Sequence, residues 1–349
     1  MWLRKTSMAV VSLGVLAASA GFAGDSGPSW DLSPTGVDAR LRGLSVVSAG
    51  TVWASGSAGT VIRTVNGGRS WRQVGPPDTA ELEFRDIEAF DARRAVILSI
   101  GPGEDSRIYR TTDGGASWTE TFRNPDPAAF YDCVTFLDDR HGLALSDPVD
   151  GRFRIASTSD GGRSWKVSPP AGMPAALPGE FAFAASGTCL VAAGGRAYFA
   201  TGGGATARVF RSDDAGRSWK VTDTPVPSGP SAGIYSLAFR DRDQGVAVGG
   251  DFAVPDAAPS GVAVTRDGGR TWRPAAAEPG EYRSGAAWLS RLGPVLAVGP
   301  TGSDISYDAG RHWSLFDSGS YDAVDCGGLA VCWASGEQGR VARLDWFGR

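Results

Sequence analysis

Three arginines, three tyrosines and one phenylalanine occupy corresponding positions in seven similar segments of the chain. They are Arg42, Arg85, Tyr131, Phe181, Tyr235, Arg283 and Tyr321. Arginine offers a planar fork of donors that matches a carboxylate or phosphate, and tyrosine adds apolar area and a hydroxyl. If these side chains surround one opening, they form a binding ring for an acidic or carboxylate-bearing ligand. Alternatively they fill the opening and pair with neighbouring acids, among them Asp86, Asp132 and Asp322.

Six acidic residues lie in segments that we predict to be loops on the face of this ring. They are Glu104, Asp105, Asp147, Asp150, Asp251 and Glu337. Two carboxylates about 5 to 9.5 Å apart can hydrolyse a glycoside, whereas acids in surface loops are ordinarily only solvated. A glycoside hydrolase is therefore the alternative function, and no catalytic residue is assigned.

The sequence does not support a metal site, a nucleotide cofactor or a nucleic-acid partner. His141 and His312 have no partner at metal-ligand spacing, so no metal site is predicted. The run Gly202 to Gly204 does not stand between a strand and a helix, so no nucleotide cofactor is implied. The formal net charge of −4 and the isoelectric point near 5.4 argue against nucleic acid as a partner, because phosphate contacts need a positive surface.

A repeated turn motif indicates which elements position the ring. Six segments fit the pattern [ST]-x-[DN]-x-G-x-x-W and are called box turns below. They end at Trp71, Trp118, Trp165, Trp219, Trp272 and Trp313. In each, the Asp or Asn side chain is expected to bond backbone amides, the glycine to take a positive φ, and the tryptophan to cover the turn.

The box turns are separated by 47, 47, 54, 53 and 41 residues, which is the spacing of propeller blades. Short β-rich runs precede each turn, for example Leu44 to Val47, Val52 to Ala54 and Val61 to Thr64. Three strands before the turn and one after it make a four-stranded blade. We therefore predict an all-β fold, a seven-bladed β-propeller that forms a single domain over residues 24–349.

The two ends of the chain supply the seventh blade. The segment from Trp333 to Leu344 repeats the segment from Trp53 to Thr64 but stops before an outer strand. Ser29 to Leu32 resembles the strand that follows a box turn. The N-terminal strand should therefore complete the last blade, and this closure removes exposed sheet edges.

The first 23 residues have the features of a signal peptide. Arg4 and Lys5 precede an apolar stretch from Met8 to Ala18, and small residues follow it. The stretch is too short to span a membrane, and no later segment approaches the required length. The sequence thus predicts an exported monomer, secreted or held in the cell envelope, with no membrane span.

Four cysteines are consistent with export. Cys326 and Cys332 align with Val46 and Val52, which should face each other across a hairpin, so we predict a disulfide between them. Cys133 and Cys189 fall in neighbouring blades, where they either pair by elimination or remain buried thiols.

With the repeats in hand, the chain resembles the bacterial-neuraminidase-repeat propellers, most closely the photosystem II stability/assembly factor family and its secreted relatives. The resemblance rests on the W-A-S-G-x-x-G-x-V-x-R-T segments and the D-G-G-x-[ST]-W turns, and it covers nearly all of residues 24–349. It implies an Arg-rich patch on one face and structural, not catalytic, box-turn acids. Such turns occur in sialidases and assembly factors alike, so they leave the function open.

A sialidase-like site would draw its arginines from Arg42, Arg85 and Arg283 and its nucleophile from Tyr131, Tyr235 or Tyr321. The Arg-Ile-Pro segment that such enzymes carry near their first blade is missing; Arg154 begins an Arg-Ile-Ala segment in the third. We therefore predict a non-enzymatic binding or assembly propeller. Its partner is a protein or peptide with acidic groups, or a small acidic ligand.

Overall fold

A computed structural model describes residues 27–257, 261–290, 293–327 and 331–346, so the predicted signal peptide lies outside the described residues. The described residues form seven four-stranded antiparallel sheets, the seven blades predicted from the repeats. The first strand of each blade contacts the first strands of its neighbours, so these strands surround the central channel.

Each of the first three blades is continuous in the chain. Blade 1 consists of β2 (Leu41–Val46), β3 (Val52–Gly56), β4 (Val61–Thr64) and β5 (Arg72–Gln73). Blade 2 consists of β6 (Glu83–Ala89), β7 (Ala95–Ile100), β8 (Arg107–Thr111) and β9 (Thr119–Arg123). Blade 3 consists of β10 (Tyr131–Phe136), β11 (Gly142–Val149), β12 (Arg152–Thr158) and β13 (Lys166–Val167).

The next three blades follow the same order. Blade 4 consists of β14 (Leu190–Ala193), β15 (Arg196–Ala200), β16 (Arg208–Ser212) and β17 (Lys220–Asp223). Blade 5 consists of β18 (Ala232–Phe239), β19 (Gly245–Asp251), β20 (Val262–Thr265) and β21 (Arg273–Pro274). Blade 6 consists of β22 (Gly285–Trp288), β23 (Val295–Gly299), β24 (Gly302–Ser306) and β25 (Ser314–Asp317).

Blade 7 combines both ends of the chain, as predicted. It consists of β26 (Ala323–Gly327), β27 (Val331–Ser335), β28 (Val341–Asp345) and the N-terminal strand β1 (Ser29–Leu32). Trp30 pairs with Leu344 across the closing sheet, and its indole donates a 2.9 Å hydrogen bond to Ser303 in blade 6. Since these contacts join the last blade to its neighbour, the closure predicted for the ring is confirmed.

Helical structure within the described residues is limited to two short 3-10 segments, Gly103–Asp105 and Pro170–Gly172. No helix in this part of the chain is long and apolar enough to cross a bilayer.

The box turns share one set of local hydrogen bonds. In blade 2, Asp113 Oδ1 accepts the Ser117 amide and the Thr111 hydroxyl, both at 2.9 Å. Thr111 Oγ1 accepts the Gly115 amide at 3.0 Å, and Gly115 has a φ of +81°. These bonds to Ser117 and Thr111 lower the pKa of Asp113 to about 2. Asp160, Asp214, Asp267 and Asp308 accept equivalent bonds, and Asn66 does so in blade 1.

Strand pairing places the box turns at the channel end opposite Arg42. Leu41 pairs with Gly56 at one end of blade 1, whereas Val52 pairs with both Val46 and Thr64 at the other. The box turn begins at Thr64. The rim that holds these turns is therefore separate from the mouth of the channel that begins at Arg42.

All four cysteines form disulfides. The Cα atoms of Cys326 and Cys332 are 4.1 Å apart across the β26–β27 hairpin. Cys133 on β10 bonds to Cys189, which immediately precedes β14, with Cα atoms 6.2 Å apart. The second bond links blades 3 and 4 next to the channel.

Candidate functional site

Four inner strands carry a bulge where they begin at the mouth. In blade 1 the pair Leu41–Gly56 is followed directly by the pair Gly43–Ser55, which leaves Arg42 unpaired. A bulged residue leaves the regular alternation, so its side chain can be redirected. The same bulge occurs at Arg85, Asp132 and Tyr235.

The ring predicted from the sequence is wrong by one residue in three blades. The amides of Leu41, Arg283 and Tyr321 all donate to a carbonyl of the preceding blade at 2.9 to 3.0 Å, so they are equivalent. Arg42 therefore corresponds to Ser284 and Asp322. In blade 3 the unpaired residue is Asp132, not Tyr131. A shift of one residue sends a strand side chain to the opposite face.

Tyr131 and Tyr321 consequently lie between blades and do not line the mouth. Tyr131 is buried with its ring 5.2 Å from that of Phe122, and Tyr321 is buried with its ring 5.5 Å from that of Trp30. Phe181, the fourth-blade member of the predicted ring, packs against Phe183 with ring centroids 4.8 Å apart. All three contribute apolar packing.

Arg283 is fully buried, so the prediction that it faces the mouth is also wrong. Its Nε and Nη2 lie 2.6 Å from Asp304 Oδ2. Its Nη1 donates to the Tyr282 carbonyl and the Thr301 hydroxyl, both at 2.9 Å. The guanidinium is buried, and its donors are occupied by internal acceptors. Arg283 therefore has a structural role, which is the alternative given above in which ring residues fill the opening and pair with neighbouring acids.

Arg42, Arg85 and Tyr235 do meet, in a cavity of about 370 Å³ at the mouth. It is lined by Arg40, Arg42, Arg85, Phe183, Ala184, Ala185, Tyr235, Phe252, Pro255, Tyr282, Pro300 and Asp322. We call it the mouth cavity. Its arginines come from blades 1 and 2, and its aromatic rings come from blades 4, 5 and 6 across the channel.

The arginines of the mouth cavity are unequally paired. Arg40 donates two hydrogen bonds to Asp322, at 2.6 and 2.8 Å, and these raise the pKa of Arg40. Arg42 Nε lies 3.9 Å from Asp322 Oδ1, and this buried nitrogen has no hydrogen-bond partner within the described part of the chain. Burial and the charge of Arg85 lower the pKa of Arg42. The Arg42 side chain lines the cavity and keeps 19% of its surface exposed.

Arg85 is held in place but remains partly exposed. Its Nε and Nη2 donate to Glu83 Oε2 at 2.9 and 2.7 Å, and its Nη1 donates to the Ala184 carbonyl at 3.0 Å. Its side chain keeps 26% of its surface exposed. The arrangement fixes the guanidinium beside Arg42 without removing it from solvent.

The opposite wall is aromatic. The rings of Phe183 and Tyr235 stack with centroids 4.0 Å apart, and Tyr282 meets Tyr235 edge-on at 4.8 Å. The Tyr235 hydroxyl donates to the Ser231 carbonyl at 2.6 Å, so this side chain offers the cavity its ring. Phe252 stands at the rim and is 54% exposed.

Residues 182–188 close the channel beneath the cavity. Ser186 donates a 2.7 Å hydrogen bond to the Ser284 carbonyl in blade 6. On the other side, Gly187 lies so close to Asp86 of blade 2 that an added Cβ would be 2.5 Å from Asp86 Oδ1. A segment from blade 4 that touches blades 2 and 6 crosses the channel axis. The mouth cavity is therefore blind.

Comparison with known proteins identifies the architecture. No family model and no curated protein matches the chain. A solved structure described as YCF48 bound to D1 peptide has a TM-score of 0.62 at 13% identity, over 92% of this chain and 97% of that one. This chain has the fold of YCF48. YCF48 from Cyanidioschyzon merolae gives a TM-score of 0.64 at 16% identity, over 91% of this chain and 98% of that one.

The YCF48 fold is also shared by an enzyme. A streptogramin B lyase has a TM-score of 0.62 at 12% identity, over 92% of this chain and 98% of that one. At these identities the similarity establishes the fold alone, so function must be argued from the site.

In this propeller the six loop acids predicted on the mouth face do not line the cavity. Glu104 pairs with Arg123, Asp150 with Arg154 and Glu337 with Arg40, at 2.9 to 3.2 Å. Among the cavity's lining residues Asp322 is the single carboxylate, and Arg40 engages both of its oxygens. The two-carboxylate arrangement required for glycoside hydrolysis is thus not found in the lining.

Two acids interact near this site, Asp132, which is buried beside Arg85, and Asp147, which is half-buried. Burial and the charge of Asp147 raise the pKa of Asp132, against the attraction of Arg85. Burial raises the pKa of Asp147 to about 7, although Asp147 Oδ1 accepts the Ala182 amide at 2.8 Å. The neutral forms of these acids are therefore favoured close to the start of the 182–188 segment.

The two histidines lie outside the site. His141 contacts Asp138 at 2.9 Å and His312 contacts Asp308 at 2.6 Å, both on the surface. Within the described residues no group of three or more His, Cys, Asp or Glu is arranged to hold a metal ion.

Sequence reasoning missed several residues of the mouth cavity, namely Arg40, Phe183, Phe252 and Tyr282. The spacing of the box turns gave a signal for two of them, Phe183 and Phe252. The box turns of blades 4 and 5 follow the preceding turn after 54 and 53 residues, where earlier intervals are 47. The extra residues include the 182–188 segment and the loop after β19 that carries Phe252.

Proposed function

We propose that this propeller is an exported, non-enzymatic binding or assembly protein that docks an acidic segment of a partner protein at the mouth cavity. The observation that carries the proposal is the pair Arg42 and Arg85, two cations that line one cavity with 19% and 26% of their side-chain surfaces exposed. A carboxylate that bonds to a guanidinium makes a strong charge-assisted contact, most of all where water is partly excluded.

Two further observations support it. The cavity is small and closed at its floor by residues 182–188, which suits the insertion of a short segment. A protein of the same fold, YCF48, has been solved with a peptide bound. We extend the proposal to export through residues 1–23 and to a monomeric propeller over residues 24–349.

The test is titration of the purified chain into a fluorescein-labelled Gly-Ser-Asp-Glu-Asp-Leu peptide, followed by fluorescence anisotropy. Arg42→Gln should weaken binding by about 1.5 to 3 kcal/mol, roughly 10- to 150-fold, because one charge-assisted contact is lost. The melting temperature should change little, since Arg42 makes no internal hydrogen bond through Nε.

Arg72→Gln is the matched control, because Arg72 is an exposed arginine on the outer strand of the same blade. It should bind the peptide like the unaltered chain. A peptide in which Asn and Gln replace the acids should bind poorly to all three proteins. Equal peptide affinity for the Arg42→Gln and Arg72→Gln variants would refute the proposal.

A further inference from the structure

The mouth cavity places cations and aromatic rings on opposite walls of a single small space. We propose that it selects a peptide in which an aromatic side chain lies next to a carboxylate. This inference rests on the proposed docking function and adds to it a specificity that the arginines alone cannot provide. The aromatic wall makes the difference.

The wall presents ring surfaces. The Tyr235 hydroxyl donates to the Ser231 carbonyl, and its ring stacks on Phe183. The ring of Tyr282 meets that of Tyr235 edge-on. Aromatic side chains pack favourably against other rings in stacked or edge-on geometry. A second aromatic ring is therefore the complementary group for this wall.

The dimensions require the two groups to be close together. A volume of about 370 Å³ is at the lower end of the range for small-molecule sites, roughly 300 to 1,000 Å³. Because residues 182–188 close the floor, a chain cannot thread through the channel. An acid and a ring that enter together must come from the same residue or from adjacent residues.

The rim indicates a peptide rather than a free small molecule. Phe252 and Val254 expose 54% and 47% of their surfaces on the loop that follows β19. Tyr282 donates its amide to the Pro255 carbonyl at 3.0 Å, which fixes the end of this loop beside the cavity. Exposed apolar groups beside a cavity are typical of a surface that a partner covers. A peptide that continues past the cavity would cover them.

Four labelled peptides test the specificity by fluorescence anisotropy. Gly-Ser-Ser-Asp-Phe-Ser has adjacent acid and ring, Gly-Ser-Ser-Asp-Gly-Ser lacks the ring, Gly-Ser-Ser-Asn-Phe-Ser lacks the charge, and Gly-Asp-Ser-Ser-Ser-Phe separates the two groups. The first should bind at least about tenfold more tightly than each of the others, given the apolar area of a phenyl ring and the strength of a charged contact.

Phe252→Ala probes the aromatic side of the site without altering the core, since Phe252 is exposed. It should weaken binding of the Asp-Phe peptide about threefold more than binding of the Asp-Gly peptide. Leu315→Ala, which removes an exposed apolar side chain on the outer strand of blade 6, is the matched control and should preserve the preference.

Competition with 3-phenylpropanoate tests whether the cavity prefers a peptide or a free small molecule that carries the same acid and ring. The small acid should displace the Asp-Phe peptide only at a concentration at least about tenfold above the peptide's dissociation constant, because it leaves the rim uncovered. Equal potency would overturn the assignment to a peptide.

Equal affinity for the Asp-Phe and Asp-Gly peptides, with binding still dependent on Arg42, would overturn the specificity but preserve the docking function. If no acidic peptide binds in an Arg42-dependent way, both proposals fail.

Discussion

In the six box turns a single Asp or Asn bonds amides three or four residues away, and the same pattern recurs in blade after blade. In the mouth cavity the side-chain interactions differ from blade to blade. Arg40 bonds to Asp322, which is 282 residues away, and Arg85 bonds to the Ala184 carbonyl, which is 99 residues away. Both regions are made by the ends of the same strands, at opposite rims of the propeller.

The difference shows how a repeat protein separates its frame from its site. The box turns are determined locally, so one motif can be used six times. The mouth is formed where the repeats depart from one another, through bulged residues and inserted segments from different blades. A change in a box turn should therefore affect stability alone, while changes at the mouth should divide into those that affect binding and those that affect folding.

The largest expected effect comes from Arg283, which the sequence assigns to the mouth and the structure to the interior. Arg283→Ala should lower the free energy of unfolding by about 3 to 5 kcal/mol, because it leaves Asp304 buried without its partner. Urea denaturation measures this loss. Arg283→Met combined with Asp304→Leu should recover much of it, since an apolar pair carries no uncompensated charge.

If Arg283→Ala instead weakened binding of the acidic peptide while the urea midpoint stayed unchanged, Arg283 would belong to the ring that the sequence suggested. The division of the mouth into binding and structural arginines would then be wrong.

The half-buried acid Asp147 should make stability depend on pH. Its pKa is about 7 in the folded protein and about 4 in an unfolded chain, so between these values the folded state holds a proton that the unfolded state has released. Stability should therefore fall as the pH rises from 5 to 8. The expected loss is on the order of 2 kcal/mol by urea denaturation.

Asp147→Asn should remove the part of this dependence that belongs to Asp147, because the amide does not titrate and can still accept the Ala182 amide through its oxygen. Glu88, whose pKa burial raises to about 8, should keep its own part. Asp150→Asn, on an exposed acid nearby, is the control and should leave the dependence unchanged. A variant with Asn at 147 that lost stability from pH 5 to 8 as steeply as the unaltered chain would contradict the assignment.

The smallest effect is expected at a box turn. Asp267→Ala removes the acceptor for the Thr271 amide and hydroxyl, at 2.9 and 2.7 Å, and should lower the free energy of unfolding by about 1 to 2 kcal/mol. Affinity for the acidic peptide should be unchanged, since the turn lies on the opposite rim. If the Asp267→Ala variant were fully folded but bound the acidic peptide more weakly, the two rims would be coupled.

Much of the fold could be predicted because its signals are local and repeated. Six copies of one turn define the blade length, and the incomplete segment that ends at Leu344 needs a strand, which Ser29 to Leu32 provides. Each prediction depended on residues within one repeat or on the similarity of two segments. Such patterns can be read without knowing which blades touch across the ring.

The site could be predicted only in part. Arg42, Arg85 and Tyr235 were placed correctly at the cavity, but Tyr131, Arg283 and Tyr321 were placed one residue out of register. The first residues of the inner strands differ from blade to blade, so the sequence does not mark the bulge. The inter-blade hydrogen bond from the amides of Leu41, Arg283 and Tyr321 sets the register, and it joins residues of different repeats.

The sequence by itself thus determined the seven blades, the closing strand and the positions of the box turns, because short-range hydrogen bonds and the alternation of strand residues specify them. Only the tertiary structure decided which arginines line the cavity. Arg42 and Arg283 have the same chemistry, yet the side chain of one is partly exposed at a cavity and the other is enclosed by Asp304 and Thr301. That choice depends on acceptors brought from distant parts of the chain, and on the segment 182–188 that closes the channel beneath them.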